Sequence, residues 1–199
     1  TIVATAGMAS TTYVQFLKGG LLIVFSTILV GAVVIRGLST QPDQGGKVEY
    51  YEYKQLTAVR LEDKIEVAET GWEVHRLVDT KGGLKIIRLC RDGISTWWQL
   101  VDNDEGMYLQ EIQSVVTSDA GIIINGAPAS EENQLRTVGN LERIQGEQDV
   151  ETGSLSVFEF LSSITDRDTL VRTWKSTSFL DSEGARVTAY YPVNVSGDR

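Results

Sequence analysis

Four groups of residues in this sequence have the types and spacing from which chemistry is built. Asp102-Asn103-Asp104-Glu105-Gly106 clusters carboxylates of the kind hard cations require. Its register is not that of a calcium-binding EF-hand loop, because the sixth position is Met107 where glycine is needed and the twelfth is Gln113 where glutamate is needed. A solvated turn is the better reading. His75, beside Arg76 and near Asp79, is the only histidine, which excludes the usual multi-histidine metal sites. Neither Ser95 nor Cys90 sits in a nucleophile motif, so no metal, cofactor or catalytic residue is expected. Trp97-Trp98 would offer an aromatic platform, but adjacent strand residues point to opposite faces, so one indole is expected in the core and the other at a surface or inter-domain contact. The fourth group is the polar string Thr11 to Lys18. On a helix Thr12 and Gln15 share a face with Gly19, and Thr11 shares one with Val14 and Lys18.

The element that positions this string is the apolar run containing it. Thr12 to Ile35 has Lys18 as its only formal charge. As a helix it would be about 36 Å long, against a hydrocarbon core of about 30 Å. One membrane crossing is expected. A secretory signal peptide would start with basic residues and have a shorter apolar region. A helix buried in a globular core would show a polar face, whereas from Gly19 to Ile35 only Ser26 and Thr27 are polar, and both can bond back to their own helix. A polar face on a membrane helix points to protein neighbours or a water-filled pathway. Lys18 either snorkels to the nearer interface or faces the protein interior. Thr1 to Ser10 is either the end of a preceding loop or the start of the helix, and Gly7 suits a break.

Charge divides along the same boundary. Residues 1–40 carry Lys18 and Arg36 and no acid, whereas residues 41–199 hold 16 basic and 27 acidic side chains, together the net −9 of the chain. So acidic a domain repels nucleic acid and anionic lipid. One cysteine excludes an internal disulfide framework. The chain begins at Thr1 without Met and is read as a piece of a longer protein.

Beyond the helix, Leu38 to Lys47 reads as a linker, with Pro42 and Gly45-Gly46 as its breakers. VEYYEYKQLTAVRL favours a strand, with a helix over Glu52 to Leu61 as the alternative. From Gly71 an antiparallel meander is expected: WEVHRLVD, LKIIRLC, ISTWWQLVD, MYLQEIQSVV and IIIN, separated by Gly- and Asp-containing turns. Gly126 to Gly153 reads as a long loop with a short helix near Glu131 to Val138. Ser154 looks like the N-cap of a helix over LSVFEFLSSI, and RVTAYYPV like a last strand. The expected fold is a membrane α-helix (1–37), a linker (38–47), an α+β, mainly antiparallel-β extramembrane domain (48–195), and a tail (196–199) leading towards a possible next span. Asn194-Val195-Ser196 fits the glycosylation sequon.

The string Gly7-Met8, then Thr11-Thr12-Tyr13-Val14-Gln15, then Lys18 before the apolar run resembles one helix of the sodium:solute symporter family, in particular its cation/acetate symporter branch. The likeness covers less than a fifth of the chain. Family members often carry Trp at the Tyr13 position and Asp or Gln at the Gln15 position. The resemblance implies a polytopic, sodium-coupled carrier of a small organic solute such as acetate, with its substrate and cation sites near the bilayer midplane between broken helices. The matched helix would be the fifth of a ten-helix core, packed on the remaining helices of the same transporter. The family's main sodium ligands lie on other helices, so no cofactor is implied for this segment. Acetate symporters continue after this helix with a modest loop, whereas here a domain follows, to which an accessory role is assigned. The loop after the fifth helix is external in the family, which implies a domain outside the cytoplasm. Arg36 argues mildly the other way, and the acidity of the domain suits the outer side. The alternative function is that of a single-pass, membrane-anchored binding or scaffolding domain. The polar string favours the symporter, since a plain anchor has no need of it.

Overall fold

This computed structural model describes residues 2–41, 49–61, 64–80, 82–103, 106–146 and 154–198, with the backbone alone for 2–12 and 154. Helix α1 runs unbroken from Ile2 to Arg36, so of the two readings of the first ten residues the start of the helix holds, with no break at Gly7. Its last turn closes on Gly37, whose left-handed φ of +74° lets its N–H donate to the Val33 carbonyl at 2.9 Å. Within the helix Ser26 and Thr27 donate their hydroxyls to the Ile23 carbonyl at 3.0 and 2.8 Å, the back-bonding expected of polar residues in an apolar helix.

One residue separates α1 from the extramembrane domain. Strand β1, Leu38–Ser39, opens it, so the segment read as a linker starts with a strand. Residues 42–48, the rest of that linker, lie outside the described residues. Then follow β2 (Gln55–Leu61), β3 (Lys64–Val67), β4 (Glu73–Asp79), β5 (Lys85–Arg91), β6 (Ile94–Asn103) and β7 (Gly106–Glu111). These six form one antiparallel sheet in the order β3-β2-β7-β6-β5-β4. The expected strand MYLQEIQSVV is in fact two, broken at Ile112, because there the chain leaves this sheet for a second one. That second sheet is built from β8 (Gln113–Ser118), β9 (Gly121–Ile124), β10 (Ala127–Pro128), β11 (Asn140–Arg143), β13 (Leu170–Leu180) and β14 (Arg186–Ser196), in the order β10-β9-β8-β14-β13-β11. Between β11 and β13 lie β12 (Ser154–Leu155), which pairs with β1, and helix α2 (Val157–Ile164).

The first sheet curls so that one face makes its own core: Leu56, Ala58, Ile87, Leu89, Trp98, Leu100 and Leu109 are buried there, with Ile65, Val67 and Trp72 closing round. On its other face Ile86 and Trp97 pack with Ile112, Val187 and Ala189 of the second sheet. The alternation of strand residues therefore puts both indoles in cores. Trp97 is 3% and Trp98 2% exposed, so of the surface or inter-domain contact expected for one indole the surface is ruled out, and Trp97 packs instead against the second sheet. Trp98 meets Trp72 edge-on at 5.3 Å, and Trp97 meets Phe179 edge-on at 5.1 Å.

Two other expectations are corrected. Glu131–Val138 forms no helix: Asn133 instead donates its amide to the carbonyls of Ile124 and Ala127, both at 2.9 Å, pinning an irregular segment to the preceding hairpin. The N-cap of α2 is Ser156 rather than Ser154, because Ser154–Leu155 is taken up by pairing with β1. A capping box closes that helix, with Glu159 N–H donating to Ser156 Oγ and Ser156 N–H donating to Glu159 Oε2. At the C-terminal end β14 continues through Ser196, paired with Leu170, so the tail expected from 196 begins as strand.

Candidate functional site

Three places in the described structure gather polar or aromatic groups. The first is the polar string of α1. The unbroken helix brings Thr11, Gln15 and Lys18 onto one side by three- and four-residue spacing, and Thr12 onto the same face as Gln15. Gln15 and Lys18 are exposed; of Thr11 and Thr12 the backbone alone is described. Lys18, Leu22, Phe25, Ser26 and Leu29 line a shallow groove down the helix.

The second is a cleft of about 600 Å³ where the curled sheet brings its two edge strands, β3 and β4, towards each other. Ile65, Val67, Trp72 and Ile87 make its floor, and Lys64, Glu66, Glu73, His75 and Arg76 its rim. The register of β4 on β5 shifts between Val74 and Arg76, leaving His75 as the extra residue of a bulge. Bulges bend a strand and re-aim its side chains, which is how this one delivers His75 and Arg76 to the cleft. His75 Nε2 lies 3.7 Å from Glu73 Oε2, and Arg76 Nη1 is buried without a hydrogen-bond partner among the described residues. The guanidinium of Arg91 covers Trp72 at 5.2 Å. Asp79, noted beside His75 in sequence, is not among the cleft residues. The bulge has no periodicity of its own to betray it, so sequence reasoning missed the cleft.

The third is a tyrosine cluster that joins the two sheets. Tyr51 donates its hydroxyl to Glu111 Oε1 at 2.7 Å, Lys54 N–H donates to Glu111 Oε2 at 2.9 Å, and the Arg136 guanidinium lies 3.5 Å from the Tyr51 ring centre and 3.7 Å from the same carboxylate. Tyr53 stacks on Trp174 of β13 at 4.6 Å. Gln113 and Arg136 clamp the returning loop, the Arg136 N–H donating to Gln113 Oε1 at 2.6 Å and Gln113 Nε2 to the Arg136 carbonyl at 3.0 Å. Burial, then the hydrogen bond and charge of Glu111, push the Tyr51 hydroxyl up to about 12. Burial likewise raises Tyr53, and raises Tyr50 less. The hydroxyls keep their protons to higher pH than an ordinary tyrosine, and the contacts of the cluster brace the two sheets together.

That brace predicts a pH dependence. A tyrosine whose folded pKa lies above the ordinary value of about 10 keeps its proton in the folded state after the unfolded chain has lost it, so its contribution is complete below that pH and fades as pH rises towards 12. Melting temperature followed against pH should fall across this alkaline window, and Tyr51→Phe should flatten the fall. An equally steep fall in the variant would remove Tyr51 from the explanation.

Among the described residues no three His, Cys, Asp or Glu side chains come together to hold a metal. Asp104 and Glu105 of the acidic turn lie outside the described residues. Ser95 pairs with the half-buried Cys90 across β5 and β6, and Asn194 sits in β14, where its Oδ1 accepts from Arg172. Comparison with protein-family models, characterised proteins and solved structures returns no match.

Proposed function

We propose that the chain is one membrane crossing and the following extramembrane domain of a sodium-coupled secondary transporter for a small organic solute, a monocarboxylate such as acetate. The observation that supports this most is the surface of α1. From Tyr13 to Ile35 every residue but the half-shielded Gly31 is exposed, and the segment Tyr13–Arg36 is long and apolar enough to cross a bilayer. Set into it are Gln15 and Lys18. Lys18 lies five residues inside the start of that span, so its ammonium either snorkels to the nearer interface or is received by neighbouring helices or a watered pathway. Thr11, Thr12, Gln15 and Lys18 are assigned to that contact, and sodium to helices elsewhere in the transporter.

The path of the domain supports an insertion between two crossings. It begins at Leu38, directly after α1, and β14 returns to the same end: Leu170 pairs with Ser196, and Gly197 N–H donates to the Thr169 carbonyl at 3.0 Å, against the end of α2. The resemblance implies that this domain lies outside the cytoplasm. The cleft beside His75 and Arg76 favours a second reading, a single-pass anchored binding domain.

Gln15→Leu in the intact transporter discriminates. Loss of an interhelical or pathway hydrogen bond worth ~1.4 kcal/mol would lower solute uptake about tenfold. Membrane insertion, read from the amount of protein in washed membranes, should be unchanged. Undiminished uptake would reduce Gln15 to a packing residue and favour the anchor.

A further inference from the structure

Helix α2 holds the domain with one side and leaves the other bare. Ser163 is buried and Val157, Phe160 and Ile164 are half-buried, whereas Phe158 is 80% and Leu161 50% exposed. Phe158 and Leu161 are three residues apart and so form one outward apolar face. Where that face points follows from strand direction. β1 carries the chain away from the end of α1, and β12 runs antiparallel to it with Leu38 opposite Leu155 and Ser39 opposite Ser154. The chain in β12 is therefore heading back towards the end of α1 when it reaches Ser156, and α2 starts at the next residue. By chain reach Phe158 lies within roughly 25 Å of Arg36. At its other end α2 meets Gly197, where an added Cβ would come within 2.6 Å of the Ile164 carbonyl oxygen. The helix thus sits on the side of the domain from which α1 departs.

We propose that α2 lies in the interfacial layer of the bilayer that α1 crosses, with Phe158 and Leu161 inserted among the lipid headgroups. The domain is then fixed by two points, the continuous α1–β1 junction and α2, and does not swing from a single tether. The occupant is lipid because the bare face continues the surface where the crossing helix meets the bilayer, and seating Phe and Leu at the headgroup–acyl boundary removes apolar area from water. Glu159 on α2 and Asp166, Arg167 and Asp168 just after it are three acids and one base, which suits an uncharged headgroup over an anionic one.

The inference rests on α1 crossing the membrane, and its test separates the two. The whole chain, carrying Cys90→Ala, is reconstituted in phosphatidylcholine liposomes with a nitroxide at Phe158→Cys, at Phe25→Cys on α1, or at Leu180→Cys, which is 64% exposed and about 33 Å along β13 from Leu170. Collision with oxygen reports lipid, and collision with a water-soluble nickel chelate reports solvent. The expected result is loss of nickel collisions and gain of oxygen collisions at positions 25 and 158, with the reverse at 180. A label at 158 as open to nickel as that at 180, while 25 is in lipid, would overturn the docking of α2 alone. Shielding of 158 from both reagents would mean a protein partner and overturn it too. Nickel access at 25 would overturn the crossing, and the docking with it.

Discussion

Alanine at Trp98 should lower the stability of the domain by about 4 kcal/mol, and alanine at Trp97 by nearly as much. Both figures are large against the ~5–15 kcal/mol that holds an ordinary domain folded. The reason is that β5 and β6 are covered on both faces: Ile86 and Ile87 are each 0% exposed although they point to opposite sides. Trp98 fills the core of the curled sheet, donating its indole N–H to Thr96 Oγ1 at 2.8 Å, and Trp97 fills the seam between sheets. Had one indole been at a surface, its removal would cost only a few tenths of a kcal/mol. Urea denaturation of each variant, followed by tryptophan fluorescence and circular dichroism, distinguishes the cases. A loss below ~1 kcal/mol at either position would contradict the two-core arrangement.

Gly126→Ala should be nearly as damaging, at about 3 kcal/mol, while Gly93→Ala should cost about 1 kcal/mol. Both glycines close two-residue turns with left-handed backbones, Asp92-Gly93 at φ +52° and +78°, and Asn125-Gly126 at +50° and +87°. The strain of a β-carbon is common to both. Only at Gly126 does the carbon also collide, 2.7 Å from the Ser95 carbonyl oxygen and 2.7 Å from Ile94 Cγ2, whereas Gly93 has nothing within 4 Å. The Ser95 oxygen belongs to the β6 ladder and has little room to give. Equal thermal shifts for the two variants would show that the second hairpin does not press on β6 as described.

How much of this was legible in the sequence depends on whether the determinant was local. The apolar run of α1, the meander from Glu73 to Asn103, and the last strand are spelled by hydrophobic pattern and turn residues, and they are present. Asn125-Gly126 is a strong local hairpin signal that the long-loop reading of 126–153 passed over. The switch between sheets at Ile112 was not legible, since MYLQEIQSVV alternates well enough for one strand. Nor was the burial of both tryptophans, which needs a second sheet whose strands lie about 90 residues further on, at Val187 and Ala189. The apolar stripe of α2 was seen, but its exposure depends on β12 docking beside the exit of α1. The polar string of α1 was legible as residues, and its Gln15 and Lys18 are exposed in the described structure.

The claim on which the account turns is that α1 crosses the membrane and delivers the domain to the outer side. Cys90 is half-buried and a poor reporter, so the measurement uses Ala120→Cys, in the exposed turn between β8 and β9, in a Cys90→Ala background. Intact cells, with any outer membrane permeabilised, are treated with a membrane-impermeant thiol reagent before and after the inner membrane is broken. The account predicts full labelling beforehand and no further gain afterwards. Labelling that appears only on breaking the inner membrane would put the domain in the cytoplasm and contradict both the orientation and the helix assignment behind it.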